Sequence, residues 1–560
     1  MSHGRFHSIE QSNPRAAVEA PESPGQAYEQ ALRKAKPQFR KARGVYYTPA
    51  PLAEHVVERT IGRLLEDQST RPVRILDPAC GAGVFLVLAY RRLLAWYAAR
   101  HGRLTMDQRA RILLDSIHGV DIDPHAVAMT EEALRNELMD GDAVVAEETR
   151  LADLSDNIRC GNALIGPDFP VAARNVANAT PSVFPDAVAA GGFDAVIGNP
   201  PWGQKEIDKD PVVQRYLRQR YPSSAGIQDL FRPFIELGVK LTAEGGYFGM
   251  VLPDIVLLKN YQPTRRFLLD HLSLADIDWW GSSFAGATID VATIIGRKRP
   301  APVGHQVGVA VHDPKRPTRQ NIPQADFAAN PRQVFNLFLT PEQRSLLQRL
   351  ADYPRLGDFF EIHEGIHSGN IRRELFITAA VDDTCRELYF GRDEIAPYRL
   401  KWHGRYVRLG AMPREKTRER YANLGQPQWH EREKLLVRRT GDHLLAAVDR
   451  AGRYASNNFF LVFPKKSGEI DLDGLCALLN SKFMTWYFRT VEPRQGRVFA
   501  ELKIKHVRDF PLPTRGVELN DLGARRALAA CDSALDQQID RAVCELFGVR
   551  PGELGGSGPE

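Results

Sequence analysis

Six cysteines are spread over 560 residues, and no two of them form a CxxC pair. That spacing speaks against a zinc ribbon and against a disulfide framework, and it suits a reducing cytoplasm. No run of about 18 apolar residues is present, so no hydropathy-type membrane span is expected. The first 25 residues are polar, contain proline and lack the apolar centre of a signal peptide. They predict a flexible lead-in over 1–40. No GxxxxGK[ST] string occurs, which disfavours ATP hydrolysis. No internal repeat and no metal-ligand cluster is found. What remains is an ordinary globular balance, 43% hydrophobic and 26% charged, long enough for two to four domains.

Residues 41–300 alternate helical and strand patterns, as a doubly wound α/β sheet does. Pro51 to Asp67 predicts a helix, with Leu52, Val56, Ile61 and Leu65 near helical spacing. A strand, Val73 to Leu76, runs into Asp77-Pro78-Ala79-Cys80-Gly81-Ala82-Gly83, and a helix follows over Val84 to Ala99. Strand, glycine loop and helix bring backbone N–H groups against a bound cofactor. A dinucleotide fold needs an acid about 20 residues further on. The next strand-end acid, Asp121 in GVDID, comes much later. A third reading is S-adenosylmethionine, with Asp77 facing its ammonium and Asp121 its ribose hydroxyls. Asn162, in RCGNAL, ends another strand-like stretch, Asn157 to Leu164, where a side-chain amide can meet an adenine edge.

Then comes FDAVIGNPPWG, residues 193–203. Phe193 to Ile197 predicts a buried strand, and proline cannot extend a sheet ladder, so the chain must leave the sheet there. The exit carries an amide and a tryptophan at the carboxyl end of a strand, where open α/β sheets bind ligands.

GVYYTP (44–49), DPACGAGVFL (77–86), GVDID (119–123), RCGNAL (159–164), DAVIGNPPW (194–202) and the run 228–253 together resemble the motif set of N6-adenine DNA methyltransferases. With GVYYTP before the glycine loop, their order resembles the gamma group, the TaqI-like enzymes. From about residue 355 the chain resembles the TaqI-like target-recognition domain, in HEGIHSGN (363–370), YFGRDEIAPY (389–398), KLLVRRTGD (434–442), ALLNSKFMTWYFR (477–489) and RVFAELKIKHVRDFPLP (497–513). The implied fold is a Rossmann-like SAM-dependent methyltransferase domain over 41–300 and an α+β target-recognition domain over 336–515. Residues 301–335 are expected as a linker and 516–560 as closing helices and tail.

The resemblance assigns roles by position. Thr48, Asp77, Ala79, Cys80, Gly81, Gly83, Asp121, Asn162 and Phe234 would hold S-adenosylmethionine. Asn199, Pro200, Pro201 and Trp202 would form the catalytic turn. The Asn199 amide oxygen and the Pro200 carbonyl accept the N–H groups of an adenine amine and free its lone pair. An amine inside a duplex is out of reach, so the base must be extruded, and Trp202 and Phe284 would stack on it. A site-specific methylation of double-stranded DNA is implied, in a restriction-modification or phage-defence system, by a monomer on DNA in a prokaryotic cytoplasm, with a separate cognate restriction endonuclease as partner. About forty residues precede GVYYTP, which is short for a nuclease domain, so modification without cleavage is expected. Residues 401–440 hold eleven Lys and Arg against four Glu, with Trp402, Tyr406, Tyr421 and Trp429 interleaved. A solvated basic face explains such a run, and so does a nucleic-acid surface. The DNA-facing candidates are Lys401, Arg405, Arg408, Arg438, Arg439, Arg494, Arg497 and Lys503. The rival readings are methyl transfer to an RNA base or a protein glutamine, and a non-catalytic DNA-binding subunit.

Overall fold

The computed structural model describes residues 48–67, 72–139, 153–170, 184–203, 210–226, 229–258, 261–281, 290–314, 317–413, 415, 417–418, 420–441, 443–465, 468–491, 502–529, 532–550 and 552–554. The chain divides into two compact units. One runs to residue 328 and takes in 332–337; the other holds 329–331 and everything from 338 on.

The first unit is built on nine strands: β1 (Ile75–Asp77), β2 (Ile117–Asp121), β3 (Ile158–Cys160), β4 (Phe193–Gly198), β5 (Thr242–Pro253), β6 (Leu272–Gly281), β7 (Val291–Lys298), β8 (Gln306–Val311) and β9 (Thr318–Pro323). They lie in the order β3-β2-β1-β4-β5-β7-β6-β8-β9. The first five are parallel, and β7 enters antiparallel between β5 and β6. β4 is buried at every position, which its unbroken apolar run requires of a strand covered on both faces. The chain winds outward from β1 to β3 and then returns to place β4 on the other side of β1. The crevice between β1 and β4 is therefore the switch point where such sheets bind ligands.

Helix α1 (Ala50–Val57) starts beside Thr48 and Pro49 and continues through a π turn, Glu58–Gly62. One helix over 51–67 is thus a helix with an internal bulge. Thr60 sits in it, bonding its hydroxyl back to the Val56 carbonyl at 2.7 Å. Helix α2 (Val84–His101) follows the glycine loop, and α3 (Phe231–Leu241) is covered along nearly its whole length.

Residues 301–335 are not a linker. They carry β8 and β9, which complete the sheet, and their prolines Pro314 and Pro317 lie between those strands. The alternation in Gln306-Val307-Gly308-Val309-Ala310-Val311 is a strand signal that the surrounding prolines obscured.

The second unit is α+β. Strands Phe360–Glu364, Phe459–Pro464, Lys434–Arg438 and Ala446–Asp449 pair antiparallel in that order. Helices Leu472–Asn480, Lys482–Val491, Val517–Leu528 and Ser533–Leu546 share one apolar core with them, and Phe547 of the terminal LFGV packs back into it. Lys434 is fully buried there, with Nζ 2.5 Å from Asp449 Oδ2. Burial pulls the lysine pKa down and the aspartate opposes that. Removing one partner strands a buried charge, so Lys434→Met is expected to lower unfolding free energy by about 3–5 kcal/mol. Denaturant melts measure it, and the pair Lys434→Met with Asp449→Leu should recover most of the loss. Among the described residues no helix is long and apolar enough to cross a membrane.

Candidate functional site

Asp77 ends β1 fully buried. Its Oδ1 accepts the Ala79 N–H at 3.0 Å, while Oδ2 is buried with no partner among the described residues. The neighbouring strand approaches so closely that a Cβ on Gly198 would stand 2.5 Å from Asp77 Oδ1. Gly198, at φ 155°, is the residue that permits it. Burial pushes the Asp77 carboxyl up to about 8, Asp121 adds to the rise, and the Ala79 N–H opposes it. Asp121, at the end of β2, is also raised by burial. Its Oδ2 accepts the Gly81 N–H and its Oδ1 the Asp123 N–H, both at 2.9 Å. The glycine loop is thus pinned across β1 and β2 by the acid that ends β2. Gly83, at φ 83°, turns the loop into α2 against Thr130, whose hydroxyl bonds the Gly81 carbonyl at 2.8 Å. Cys80 is buried, which holds its thiol protonated and unreactive.

Asn199 follows β4 directly. Its Nδ2 donates to Thr48 Oγ1 at 2.9 Å across 151 residues of chain. Its Oδ1 is buried and has no partner among the described residues. Buried polar atoms are nearly always bonded, so these two oxygens of Asp77 and Asn199, at the ends of adjacent strands and without a partner among the described residues, are candidate acceptors for a bound ligand. One belongs to a buried acid with a second acid nearby, whose ionisation a bound cation would favour. The other is a neutral acceptor, which favours an N–H.

The turn beyond is held from below. Gly203 donates its N–H to Asp229 Oδ1 at 2.9 Å, and Tyr261 donates to Asp229 Oδ2 at 3.1 Å. Arg232, fully buried one helical turn on, donates to the carbonyls of Ser223, Ser224 and Ala225 and to Thr264 Oγ1. Burial lowers its pKa to about 10. Neither residue was singled out from sequence. The signal is an Asp just before, and an Arg within, the first turn of an apolar helix.

Trp202 is 5% exposed, Pro200 is buried and Pro201 is half-buried. Phe234 packs with Leu76, Val120, Ala163, Leu164 and Tyr221, beside the ends of β1 and β2. Asn162 turns its Oδ1 onto the Leu164 N–H at 3.1 Å. A small apolar hollow lies between Leu76, Pro78, Val120, Ala163, Phe184, Phe193 and Leu241. None of Thr48, Asp77 and Asn199 lines it, so it lacks the polar groups that a reaction needs. Phe284, Arg494 and Arg497 lie outside the described residues.

Several cations of the basic run have intramolecular partners. Arg408 pairs with Asp382 at 2.6 Å, Arg420 with Glu374 at 2.7 Å and Arg432 with Glu361 at 2.6 Å. Arg439 lies 3.9 Å from Glu364 and donates to the Asn457 carbonyl at 3.4 Å, and the Arg405 guanidinium sits 5.3 Å from the Phe390 ring centre. Arg438 is half-buried, and Lys401 and Lys503 are exposed.

Known proteins resemble this chain in two blocks. Residues 115–283 match the Eco57I restriction-modification methylase family, and residues 386–512 match the TaqI-like C-terminal specificity domain. The adenine-specific methyltransferase PglX of Streptomyces coelicolor is 29% identical over 232 residues, 38% of this chain and 19% of that protein. The type II methyltransferase M.PaeR7I of Pseudomonas aeruginosa is 28% identical over 236 residues, 41% of this chain and 35% of its own length. The matched segments thus span between about a fifth and about a third of these relatives. The fold is shared with the Type IIL restriction-modification enzyme MmeI, solved in complex with DNA, at a TM-score of 0.51 and 14% identity over 93% of this chain and 75% of that one. Over residues 115–283 the chain is thus similar to the Eco57I restriction-modification methylases, and over residues 386–512 to the TaqI-like C-terminal specificity domains.

Proposed function

We propose that this chain methylates the N6 amine of an extruded adenine in double-stranded DNA, using S-adenosylmethionine. The observation that carries the reading is the Asn199 amide, whose nitrogen is tied to Thr48 while its buried oxygen has no partner among the described residues. An aromatic amine is a poor nucleophile because its lone pair is conjugated with the ring. Asn199 Oδ1 and the Pro200 carbonyl accept its two N–H groups, which draws the nitrogen toward a tetrahedral shape and exposes the lone pair. The acceptors are held before substrate arrives, so no reorganisation is needed at the moment of reaction. Trp202, at the end of this turn, is the aromatic on which the extruded base would stack.

The cofactor fits the residues present. Asp77 Oδ2, buried and without a partner, suits its ammonium, Asp121 its ribose hydroxyls, and Phe234 with Asn162 its adenine. Bound there, S-adenosylmethionine would supply an electrophilic methyl group on a cationic sulfonium. The TaqI-like block supports duplex DNA as the partner, read by residues among Lys401, Arg405, Arg438, Arg439 and Lys503. A restriction-modification role in a prokaryotic cytoplasm, with a separate endonuclease and a monomer on DNA, completes the reading. Expression in a methylation-free host, followed by single-molecule mapping of modified bases, tests it. N6-methyladenine at one recurring sequence is the expected result; an unmodified genome, or modified RNA or protein glutamine, would overturn it.

A further inference from the structure

We infer that Thr48 is a positioning residue for the methyl-transfer step, anchoring the Asn199 amide by its nitrogen so that the amide oxygen is aimed at the amine. The inference rests on the reading of Asn199 as the acceptor, and it assigns Thr48 a role other than the cofactor contact that the sequence suggested.

A carboxamide has two ends of nearly equal shape and opposite sense. If the nitrogen faced the substrate, two donors would meet and the amine would keep its lone pair in conjugation. A partner that accepts at the far end removes that possibility in the complex. With Thr48 Oγ1 accepting from Nδ2 at 2.9 Å, the oxygen can take a substrate N–H and both bonds are made. In the reversed orientation the hydroxyl can still donate to the amide oxygen, but Nδ2 then meets another donor. Thr48 is 3% exposed, so water does not readily replace it.

The hydroxyl is itself held in place. The Pro49 carbonyl, one residue on, accepts the N–H groups of Leu52 and Ala53 at the first turn of α1. That helix is tied to the sheet by His55, 2.5 Å from Asp278, and by its continuation through Arg63, 2.6 Å from Asp276, and Arg59, 3.4 Å from the same carboxylate. Both acids are on β6 and both are buried. Thr48 therefore stands on a helix clamped at several points, which is how a side chain that touches no reacting atom can fix one that does.

The test uses the purified full chain, a duplex carrying the methylated sequence found in the mapping experiment, and labelled S-adenosylmethionine. Thr48→Val keeps the shape and removes the acceptor. It is expected to lower single-turnover methyl transfer about tenfold, the scale of one hydrogen bond. The KM for DNA and the calorimetric Kd for S-adenosylmethionine should stay within about twofold of wild type. Thr48→Ser restores the acceptor and should recover most of the rate. If Thr48→Val melts early, Thr48→Ala read against Thr48→Ser gives the same comparison. A wild-type rate in Thr48→Val, or a serine variant as slow as valine, overturns the inference. So does a cofactor Kd weakened about tenfold or more, which would return Thr48 to the cofactor. Failure of the underlying reading shows separately, as a fully active Asn199→Ala.

Discussion

Asn199→Ala is expected to lower methyl transfer into DNA by about two to three orders of magnitude, the range seen when one preorganised hydrogen-bonding group is removed from a reaction site. The Kd for S-adenosylmethionine should change little, because Asn199 turns its nitrogen to Thr48 and its oxygen toward the space where the amine would sit. The same change should leave thermal stability close to wild type. A buried oxygen without a partner costs folding free energy, so its removal offsets the single bond given up with Thr48. Loss of rate without loss of stability separates a chemical role from a structural one. The Pro200 carbonyl remains in the variant, so a residual rate above the uncatalysed one is part of the expectation. Single-turnover transfer of a labelled methyl group, with differential scanning calorimetry on the same preparation, measures both. A rate within about tenfold of wild type would mean that Asn199 is only a strand-end turn.

The sequence carried those features that follow from local rules. Asp77, the glycine loop, Asp121 and the NPPW turn lie at strand ends, and strand ends can be found from short apolar runs and their breakers. Their convergence on one edge follows once the sheet is parallel, because every such strand points the same way. What could not be read is pairing between distant residues. Thr48 and Asn199 are 151 residues apart, and nothing local to either shows the bond. The basic run over 401–440 shows the same limit. Asp382, Glu374, Glu361 and Asp449 lie outside that stretch, yet each neutralises a cation within it. A local charge count therefore overstated the cations available to phosphates. The supposed linker failed differently: proline marked a turn correctly, but the turn joins two strands of the main sheet.

Asp77→Asn should act in opposite directions on stability and on cofactor binding. In the folded, ligand-free chain the carboxyl is raised to about 8 from an ordinary value near 3.8, chiefly by burial. The folded form thus holds a proton that the unfolded chain releases. Whatever stability this proton confers is fully present below pH ~4, and it is lost as pH rises toward about 8, at about 1.4 kcal/mol per unit. At pH 7 the native carboxyl therefore penalises folding by roughly 4 kcal/mol relative to a group that does not titrate, and Asn removes that penalty. Ligand-free Asp77→Asn should melt several degrees higher at pH 7, with the gap closing near pH 4. Cofactor binding moves the other way. An ammonium beside Asp77 favours the carboxylate, so binding at pH 7 should expel about one proton. Affinity should then rise about tenfold per unit toward pH 8, where the carboxyl of the free protein ionises unaided. Asp77→Asn lacks both the charge and the proton, so its affinity should be weaker by about a hundredfold and lose this dependence. Calorimetry in two buffers of different ionisation enthalpy counts the proton directly. An equal proton count in wild type and variant would mean that Asp77 does not meet the cation. A buried acid that weakens the empty protein and strengthens the occupied one is the stability–function exchange expected at a binding site.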